Sequence, residues 1–331
     1  MMNRRLGQNG PTVSALGLGC MGMSDLYGTT DRKESIATIH EAIEGGVTLF
    51  DTGDFYGVGH NELLLQEALK GTKRDNAFIA VKFGAMRSPD GGWVGIDGRP
   101  QAVKNSLSYT LQRLGVDYID LYQPARVDPT VPIEETVGAI ADMVKAGYVR
   151  QIGLSEAGEE TIRRAHAIHP ISWLQIEYSL FSRGIEANIL PTIRELGISL
   201  SAYGVLSRGL LGGAWTKNRK TDARDFRSYV PRFSGENLDN NLALVESLRA
   251  LADDKDATVA QMALAWVLSR GEDVIPLIGA RRVSHLQDAL GAIELQLSPT
   301  DLERIEAAVP AEAVAGTRYR EADMGMLDSE R

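Results

Sequence analysis

The sequence predicts a single (β/α)8 barrel, an α/β fold in which eight parallel strands close into a cylinder surrounded by helices. Eight short apolar runs, rich in β-branched residues, alternate with amphipathic stretches along the whole chain. Several of the runs are apolar at successive positions, which is typical of strands that are buried on both faces of a parallel sheet. No shift in composition divides the chain, so we expect one domain over residues 1–331, with the TIM-barrel architecture.

The predicted strands are spaced so that a helix can follow each one. They are residues 13–19, 47–51, 77–83, 118–123, 151–155, 172–178, 199–205 and 274–279. Between them, segments such as IATIHEAI and VGAIADMV repeat apolar residues with a period of about 3.6, and a glycine follows most of these helices as a C-cap would. Two connections, residues 84–100 and roughly 206–240, are longer than a compact barrel needs. Because the carboxyl ends of the strands form the active face of such a barrel, we expect these loops and the tail after Pro310 to shape a substrate pocket.

Composition excludes several classes of function. The chain has 331 residues and a formal net charge of −9, so no basic face favours nucleic acid or an acidic membrane surface. Cys20 is the only cysteine, which excludes an intramolecular disulfide and favours a reducing compartment. No apolar leader and no stretch of about 18 apolar residues is present, so we expect a cytoplasmic protein that spans no membrane. His166 and His169 lack further ligands nearby in sequence, and we predict no metal site.

The segment GLGCMG at residues 17–22 matches the dinucleotide-binding pattern G-x-G-x-x-G, but its context differs from that of a Rossmann fold. In that fold the glycine turn opens directly into a helix, and an acidic residue follows about 20 residues later. Here SDLYGTTD separates the glycines from the next helix, and Asp51 comes 29 residues after Gly22. The motif therefore does not predict a Rossmann domain.

Three polar residues stand at or just after the ends of two neighbouring predicted strands. Asp51 ends the second strand in DTGDFYG, Tyr56 follows in the loop, and Lys82 stands alone in the apolar run AVKFG. A buried lysine needs an anionic partner, and Asp51 on the adjacent strand is the natural one. If Tyr56 folds over this pair, the lysine should lower the pKa of its hydroxyl. Such a tyrosine suits carbonyl reduction, in which a hydride goes to carbon and a proton goes to oxygen.

With these residues in place, the chain resembles the aldo-keto reductases over nearly its whole length. The matching segments, in chain order, are VSALGLGCMGMS, FDTGDFYG, VKFG, DYIDLYQ, GYVRQIGLSE, QIEYSL, SAYGVLSRGLL and IPLIGARRVSHLQD. The resemblance implies a catalytic tetrad of Asp, Tyr, Lys and His. Asp51, Tyr56 and Lys82 fill the first three places, and Tyr56 is the general acid or base.

The resemblance also implies a nicotinamide dinucleotide that is bound in extended form. The residues implied at this cofactor, most of them ordered from the nicotinamide to the adenosine phosphate, are Gly19, Cys20, Met21, Asp51, Ser155, Gln175, Tyr203, Leu206, Ser207, Arg208, Gly209, Gly279, Ala280, Arg281, His285 and Asp288. Among them, Ser155 and Gln175 hold the carboxamide, and Tyr203 stacks on the nicotinamide ring. Independently of the resemblance, GARR at a helix start offers backbone amides and guanidinium groups to a phosphate, which favours NADPH over NADH.

The fourth place of the tetrad is not filled by a histidine. Alignment of DLYQPARVDP with the fourth strand of the family places Pro124 there, and proline cannot donate a hydrogen bond to a substrate carbonyl. Three interpretations stay open: the enzyme works with Tyr56 and Lys82 alone, Arg126 supplies the donor, or the chain is a cofactor-binding sensor or ancillary subunit. We expect Pro124, Arg126 and Trp93 in the substrate pocket. The favoured prediction is the NADPH-dependent interconversion of a small aldehyde or ketone with its alcohol.

Overall fold

The structure is a computed structural model that describes residues 1–24, 26–219, 221 and 225–331. Its strands are β1 (Asn3–Arg5), β2 (Thr12–Ser14), β3 (Gly17–Gly19), β4 (Leu49–Gly53), β5 (Phe78–Phe83), β6 (Ala85–Arg87), β7 (Trp93–Ile96), β8 (Ile119–Pro124), β9 (Val149–Ser155), β10 (Trp173–Glu177), β11 (Ser199–Tyr203) and β12 (Val274–Ile278). Its α-helices are α1 (Arg32–Glu44), α2 (His60–Ala68), α3 (Pro100–Leu114), α4 (Ile133–Lys145), α5 (Glu159–Ile168), α6 (Ile189–Glu195), α7 (Gly235–Asp253), α8 (Val259–Ser269), α9 (Val283–Leu290), α10 (Pro299–Ala308) and α11 (Glu321–Met324). Short 3-10 helices span Met21–Met23, Gly71–Asn76, Gly184–Glu186, Ser207–Gly212, Phe226–Tyr229, Pro231–Phe233, Gly291–Ile293, Ala311–Ala313 and Asp328–Glu330.

The predicted (β/α)8 barrel is confirmed. Strands β3, β4, β5, β8, β9, β10, β11 and β12 pair in parallel in that order, and β12 returns to β3 to close the barrel. At least one helix follows every barrel strand, and α7 and α10 are additions to the basic ring. Every residue of β4, β5, β10 and β12 is buried, because these strands are covered by helices outside and by side chains inside.

The first predicted strand, residues 13–19, is divided in the structure. Thr12–Ser14 pairs antiparallel with Asn3–Arg5, and only Gly17–Gly19 enters the barrel. This hairpin brings Leu6 and Val13 into the apolar cluster that fills the barrel interior. The chain therefore uses its first strand pair to close the amino-terminal end of the barrel, and the opposite end stays available for a site.

The long connections at the carboxyl ends of the strands carry structure of their own. The predicted loop 84–100 contains the β6–β7 hairpin. The predicted loop 206–240 contains three short 3-10 helices and ends earlier than expected, because α7 begins at Gly235. Positions 220 and 222–224 of this loop lie outside the described residues. None of the helices in the described part of the chain is long and apolar enough to cross a membrane.

Candidate active site and cofactor cleft

A buried ion pair lies at the carboxyl ends of β4 and β5. Lys82 Nζ is 2.6 Å from Asp51 Oδ1 and 2.7 Å from Asp51 Oδ2. The Lys82 side chain is 8% exposed and that of Asp51 is 6% exposed, so the pair is out of contact with bulk water. Burial lowers the pKa of Lys82, and the adjacent Asp51 carboxylate opposes this effect. The predicted contact between the two residues is therefore present.

Tyr56 covers this pair from the loop between β4 and α2. Lys82 Nζ lies 5.3 Å from the centroid of the Tyr56 ring, and Tyr56 is only 4% exposed. The next three residues, Gly57, Val58 and Gly59, all have positive φ angles of 56°, 52° and 90°. Two glycines make this left-handed turn possible, and it folds the tyrosine back over the barrel mouth.

The expectation that Lys82 lowers the pKa of Tyr56 is wrong. Burial raises the pKa of Tyr56 well above its ordinary value, and the negative charge of Asp51 raises it further. Arg126 is the nearby cation that opposes the rise. The physical reason is that Asp51 binds Lys82 through both carboxylate oxygens, so the lysine charge is largely offset. Tyr56 is thus a protonated phenol at neutral pH, which suits it to donate a proton.

Two predicted carboxamide ligands present buried polar atoms without a protein partner. Gln175 on β10 donates from Nε2 to Asp51 Oδ1 at 2.9 Å, which leaves its Oε1 unpaired. Ser155, the last residue of β9, has a buried and unpaired Oγ. Buried polar atoms without partners are rare in proteins because each one costs free energy. A ligand amide, with one NH2 donor and one carbonyl acceptor, would satisfy both atoms.

The loop after β11 is strained where a phosphate is expected. Ser207, Arg208 and Gly209 have φ angles of 45°, 55° and 103°, and the two non-glycine residues are disfavoured there by about 1–3 kcal/mol each. Ser207 Oγ and Arg208 Nη1 are buried without partners, whereas Arg208 Nη2 binds Glu177 at 3.1 Å. A free hydroxyl and a free guanidinium N–H fit a phosphate oxygen. Leu206, another predicted cofactor residue, directly precedes Ser207 and is half-buried.

Arg281 lies among other guanidinium groups after β12. Burial lowers the pKa of Arg281, and the charges of Arg227 and Arg282 lower it further. Arg281 Nη1 donates to the Tyr27 carbonyl at 2.8 Å. Adjacent cations repel each other, so their grouping is typical of a site for a multiply charged anion such as a phosphate.

The other residues that are predicted to contact the adenosine phosphate lie just before α9 and within it. Gly279 is exposed, Ala280 is buried and His285 is exposed. Asp288 accepts a hydrogen bond from the Thr258 hydroxyl at 2.9 Å, so its carboxylate is engaged at the start of α8. Roles for Gly279, His285 and Asp288 at a ligand stay predictions.

Three predicted cofactor residues at the end of β3, namely Gly19, Cys20 and Met21, lie near the ion pair. Gly19 ends β3, and the Cys20 amide donates to the Asp51 carbonyl at 2.9 Å. Burial raises the pKa of the Cys20 thiol, so it stays protonated and chemically inert. Met21 is half-buried and begins a 3-10 helix.

Trp93, which was expected in the substrate pocket, stands at the rim of the site. It is 46% exposed, and its ring lies 6.4 Å from that of Phe55, the neighbour of Tyr56.

Pro124 does not face the site, which corrects the expectation that it lines the substrate pocket. Pro124 pairs with Phe83, and Phe83 stacks on Tyr122 at a ring distance of 4.3 Å in the outer core. Leu121 lies in the inner cluster, and Gln123 accepts a hydrogen bond from the indole of an interior tryptophan. Since side chains alternate along a strand, the next inner-facing position after Leu121 and Gln123 is residue 125.

Ala125 occupies that inner position. Its amide donates to the Phe83 carbonyl at 2.8 Å, so the pairing of β8 with β5 continues to this residue. Ala125 is 1% exposed and carries only a methyl group. The strand therefore presents no side-chain donor beside the ion pair, as predicted, but the residue responsible is Ala125.

The carboxyl-terminal tail contributes residues that the sequence did not reveal. Tyr203, predicted to stack on a nicotinamide, donates its hydroxyl proton to Glu156 Oε1 at 2.5 Å and lies 3.0 Å from the Tyr319 hydroxyl. Arg318 binds Glu156 at 2.6 Å and 2.7 Å. Arg126 Nη2 donates to the Tyr319 hydroxyl at 3.2 Å. The tail thus crosses the mouth of the barrel. Its residues 318–330 carry no periodic pattern that could have signalled this position.

The comparisons with known proteins agree with this geometry. The model of the Aldo/keto reductase family matches residues 15–310. A probable aldo-keto reductase 1 from Glycine max is 46% identical over 318 residues, which are 95% of this chain and 91% of that protein.

Solved structures give the same result. A glycerol dehydrogenase from Gluconobacter oxydans is 28% identical with a TM-score of 0.85, and the match covers 93% of this chain and 96% of that one. The holo form of an aldo-keto reductase from Bacillus halodurans is 28% identical with a TM-score of 0.78, covering 94% of this chain and 97% of that one.

Proposed function

The chain belongs to the aldo/keto reductase family, and we propose that it is an NADPH-dependent reductase that interconverts an aldehyde or ketone with its alcohol. One observation carries the proposal: Tyr56 lies over the Asp51–Lys82 pair, and Gln175, whose Oε1 is unpaired, donates a hydrogen bond to the same Asp51. A proton donor and a place for a carboxamide are thereby adjacent. The hydride is what a nicotinamide dinucleotide supplies or accepts when it is bound.

Tyr56 donates its proton to the carbonyl oxygen in the direction of reduction. Its raised pKa keeps the phenol protonated and ready to donate, and Lys82 Nζ lies 5.3 Å from the centre of its ring. Asp51 holds Lys82 in place through two short hydrogen bonds. In alcohol oxidation the phenolate oxygen of Tyr56 accepts the proton from the alcohol.

The cofactor cleft follows the ends of β9 to β12. Ser155 and Gln175 hold the carboxamide, and Ser207 with Arg208 binds the pyrophosphate, since each offers a buried atom without a partner. Arg281, within its group of guanidinium side chains, binds the additional phosphate that distinguishes NADPH from NADH. We also expect a reducing, cytoplasmic setting, because the one cysteine, Cys20, is buried and unpaired.

A cofactor-binding sensor with little turnover is the second candidate. The observation that favours it is Ala125, which places a methyl group where β8 could have presented a hydrogen-bond donor. Loss of one positioned donor typically slows an enzyme by about 10²–10³-fold without abolishing its activity. For this reason we place the reductase first.

The first experiment measures NADPH oxidation with a panel of aldehydes and ketones for the wild type and for Tyr56→Phe. We expect Tyr56→Phe to lower kcat by about 10²–10⁴-fold and to leave the dissociation constant of NADPH unchanged, because only the proton donor is lost. Tyr148→Phe is the matched control, since Tyr148 is 48% exposed and far from the candidate site in the fold. Tight NADPH binding with wild-type turnover no faster than that of Tyr56→Phe would leave the sensor as the function.

A further inference from the structure

Arg126 differs from Arg208 and Arg318, two other arginines at the mouth of the barrel, in forming no hydrogen bond to a carboxylate. Arg208 lies 3.1 Å from Glu177, and Arg318 lies 2.6 Å from Glu156. Arg126 Nη1 instead donates to the Ala125 carbonyl at 2.6 Å, and Nη2 donates to the Tyr319 hydroxyl. Within the described part of the chain, its guanidinium forms no ion pair.

A directed chain of hydrogen bonds fixes the position of Arg126. The single hydroxyl proton of Tyr203 goes to Glu156 at 2.5 Å, so Tyr319 must donate to Tyr203 across their 3.0 Å contact. The Tyr319 oxygen then accepts from Arg126 at 3.2 Å. These contacts use two of the five guanidinium N–H groups, and the others remain available to a ligand.

Arg126 follows Ala125, whose amide donates to the carbonyl of Phe83, the residue after Lys82. The Arg126 guanidinium therefore starts from the same end of the barrel as the candidate proton donor. The charge of Arg126 acts on both Tyr56 and Lys82, where it lowers the pKa of each.

Arg126 is half-buried, and its centre lies 5.9 Å from the ring of Tyr319. The charge of Glu156 reaches Arg126, but the Glu156 oxygens are already bound by Arg318 and Tyr203. Among the described residues, the Arg126 guanidinium thus has no carboxylate in hydrogen-bond contact, and an anionic ligand would supply one. The unused N–H groups therefore fit an anionic part of whatever binds at this end of the barrel.

We propose that Arg126 binds a carboxylate on the substrate, so that the preferred substrates are aldehydes or ketones that carry a carboxylate group. The proposal rests on the reductase function and specifies its substrate class. A carboxylate accepts two parallel hydrogen bonds from a guanidinium, which fixes orientation as well as affinity. A phosphate of the dinucleotide offers the same anionic chemistry, and the experiment separates these two sources.

The test compares kcat/KM for matched acidic and neutral carbonyl compounds. The pairs are 4-oxobutanoate with butanal, 4-carboxybenzaldehyde with methyl 4-formylbenzoate, and phenylglyoxylate with its methyl ester, which vary the distance between the carbonyl and the carboxylate. We expect the wild type to prefer the acid in at least one pair. In Arg126→Met, kcat/KM for that acid should fall about 10–10²-fold, the effect of a lost charged hydrogen bond. The neutral partner should fall by a clearly smaller factor, because it loses only the influence of this charge on Tyr56. Arg126→Lys should recover part of the loss.

The matched control is Arg164→Met, because Arg164 is an exposed arginine on α5 that pairs with Glu134. It should leave both members of each pair unchanged. The dissociation constant of NADPH is measured for Arg126→Met as well and should equal that of the wild type. A weaker NADPH complex would assign the guanidinium to a cofactor phosphate and overturn the proposal. Equal losses for acids and neutral compounds would assign Arg126 to the carbonyl oxygen and also overturn it.

Binding of 4-carboxybenzaldehyde to the protein–NADP+ complex, measured by calorimetry, does not depend on turnover. We expect Arg126→Met to weaken it about tenfold or more, whereas binding of methyl 4-formylbenzoate stays the same. If the wild type reduced no carbonyl compound but showed this difference in binding, the reductase function would fail and the carboxylate site would stand. If both ligands bound equally well to both proteins, the carboxylate site would fail.

Discussion

Ala125 and Pro124 are adjacent residues with opposite orientations, and their difference decides which side chain faces the candidate active site. The run IDLYQP is buried on both faces of β8, so it lacks the polar alternation from which an inward face can be read in a sequence. Proline also suggested that the strand ended before Ala125. Lys82 was predictable because it interrupts an apolar run, and Asp51 and Tyr56 because they stand at the end of a predicted strand and in the loop that follows it. Position 125 was not, because an alanine gives no such signal.

We expect Ala125→His to raise kcat/KM for small neutral carbonyl compounds about tenfold. The substitution adds a hydrogen-bond donor to the inner face of β8 beside Lys82, where one positioned donor is worth up to about 10²–10³-fold in rate. Steady-state kinetics of NADPH oxidation checks this result.

Pro124→His is the matched control for that substitution. Its imidazole would enter the outer core against Tyr122 and Phe83, so we expect no gain in turnover and a loss of about 1–3 kcal/mol in the free energy of unfolding. Faster turnover in Pro124→His than in Ala125→His would show that our assignment of the inner face is wrong.

At the scale of whole elements, the tail is attached to the end of β9 by charged groups. Glu156 is fully buried and binds Arg318, whose guanidinium also binds Glu330 at 2.7 Å. The Ser329 amide donates to the Glu156 carbonyl at 3.1 Å. Hydrophobic periodicity predicts helices and strands, and its segments IATIHEAI and VGAIADMV lie within α1 and α4. It cannot predict how an irregular tail is held, because those contacts join single residues that are far apart in sequence.

We expect the contribution of Glu156 to stability to depend on pH. Burial opposes its ionisation, but the hydrogen bonds and charge of Arg318 lower the pKa of Glu156 to about 2, below its ordinary value of 4.5. The carboxylate therefore stabilises the folded state fully above about pH 5, and this stabilisation is lost as the pH falls from about 4.5 towards 2. A shift of this size corresponds to about 3 kcal/mol. Urea unfolding of the wild type and of Glu156→Gln between pH 3 and pH 8 measures it.

The difference in unfolding free energy between the two proteins should be constant above about pH 5 and shrink below about pH 4.5. Glu321→Gln serves as the control in the same tail, because Glu321 is exposed on α11, and it should change stability little at any pH. A difference that stayed constant down to pH 3 would contradict the charged link between Glu156 and Arg318.

At the scale of the whole molecule, the barrel brings residues that are distant in sequence to one face. Parallel strands place all their carboxyl ends at one rim, so strand order alone predicts that Asp51, Lys82, Ser155 and Gln175 meet there. Their hydrogen-bond partners could not be predicted in the same way, because these depend on side-chain directions and on loops. The chain has a net charge of −9, yet Arg281 lies close to Arg227 and Arg282, so the local electrostatic field after β12 favours anionic ligands.

This charge distribution leads to a prediction about the cofactor. A ligand that binds only the folded state stabilises it by RT ln(1 + [L]/Kd), which is about 2.7 kcal/mol at a concentration of 100 Kd. We expect NADPH to raise the unfolding temperature more than NADH does at equal concentration, because Arg281 and its neighbouring cations bind the additional phosphate. In Arg281→Met the Kd of NADPH should rise about 10–10²-fold while that of NADH stays the same. Arg304→Met, a substitution on the exposed face of α10, should preserve the preference. An undiminished preference for NADPH in Arg281→Met would show that another group recognises the phosphate.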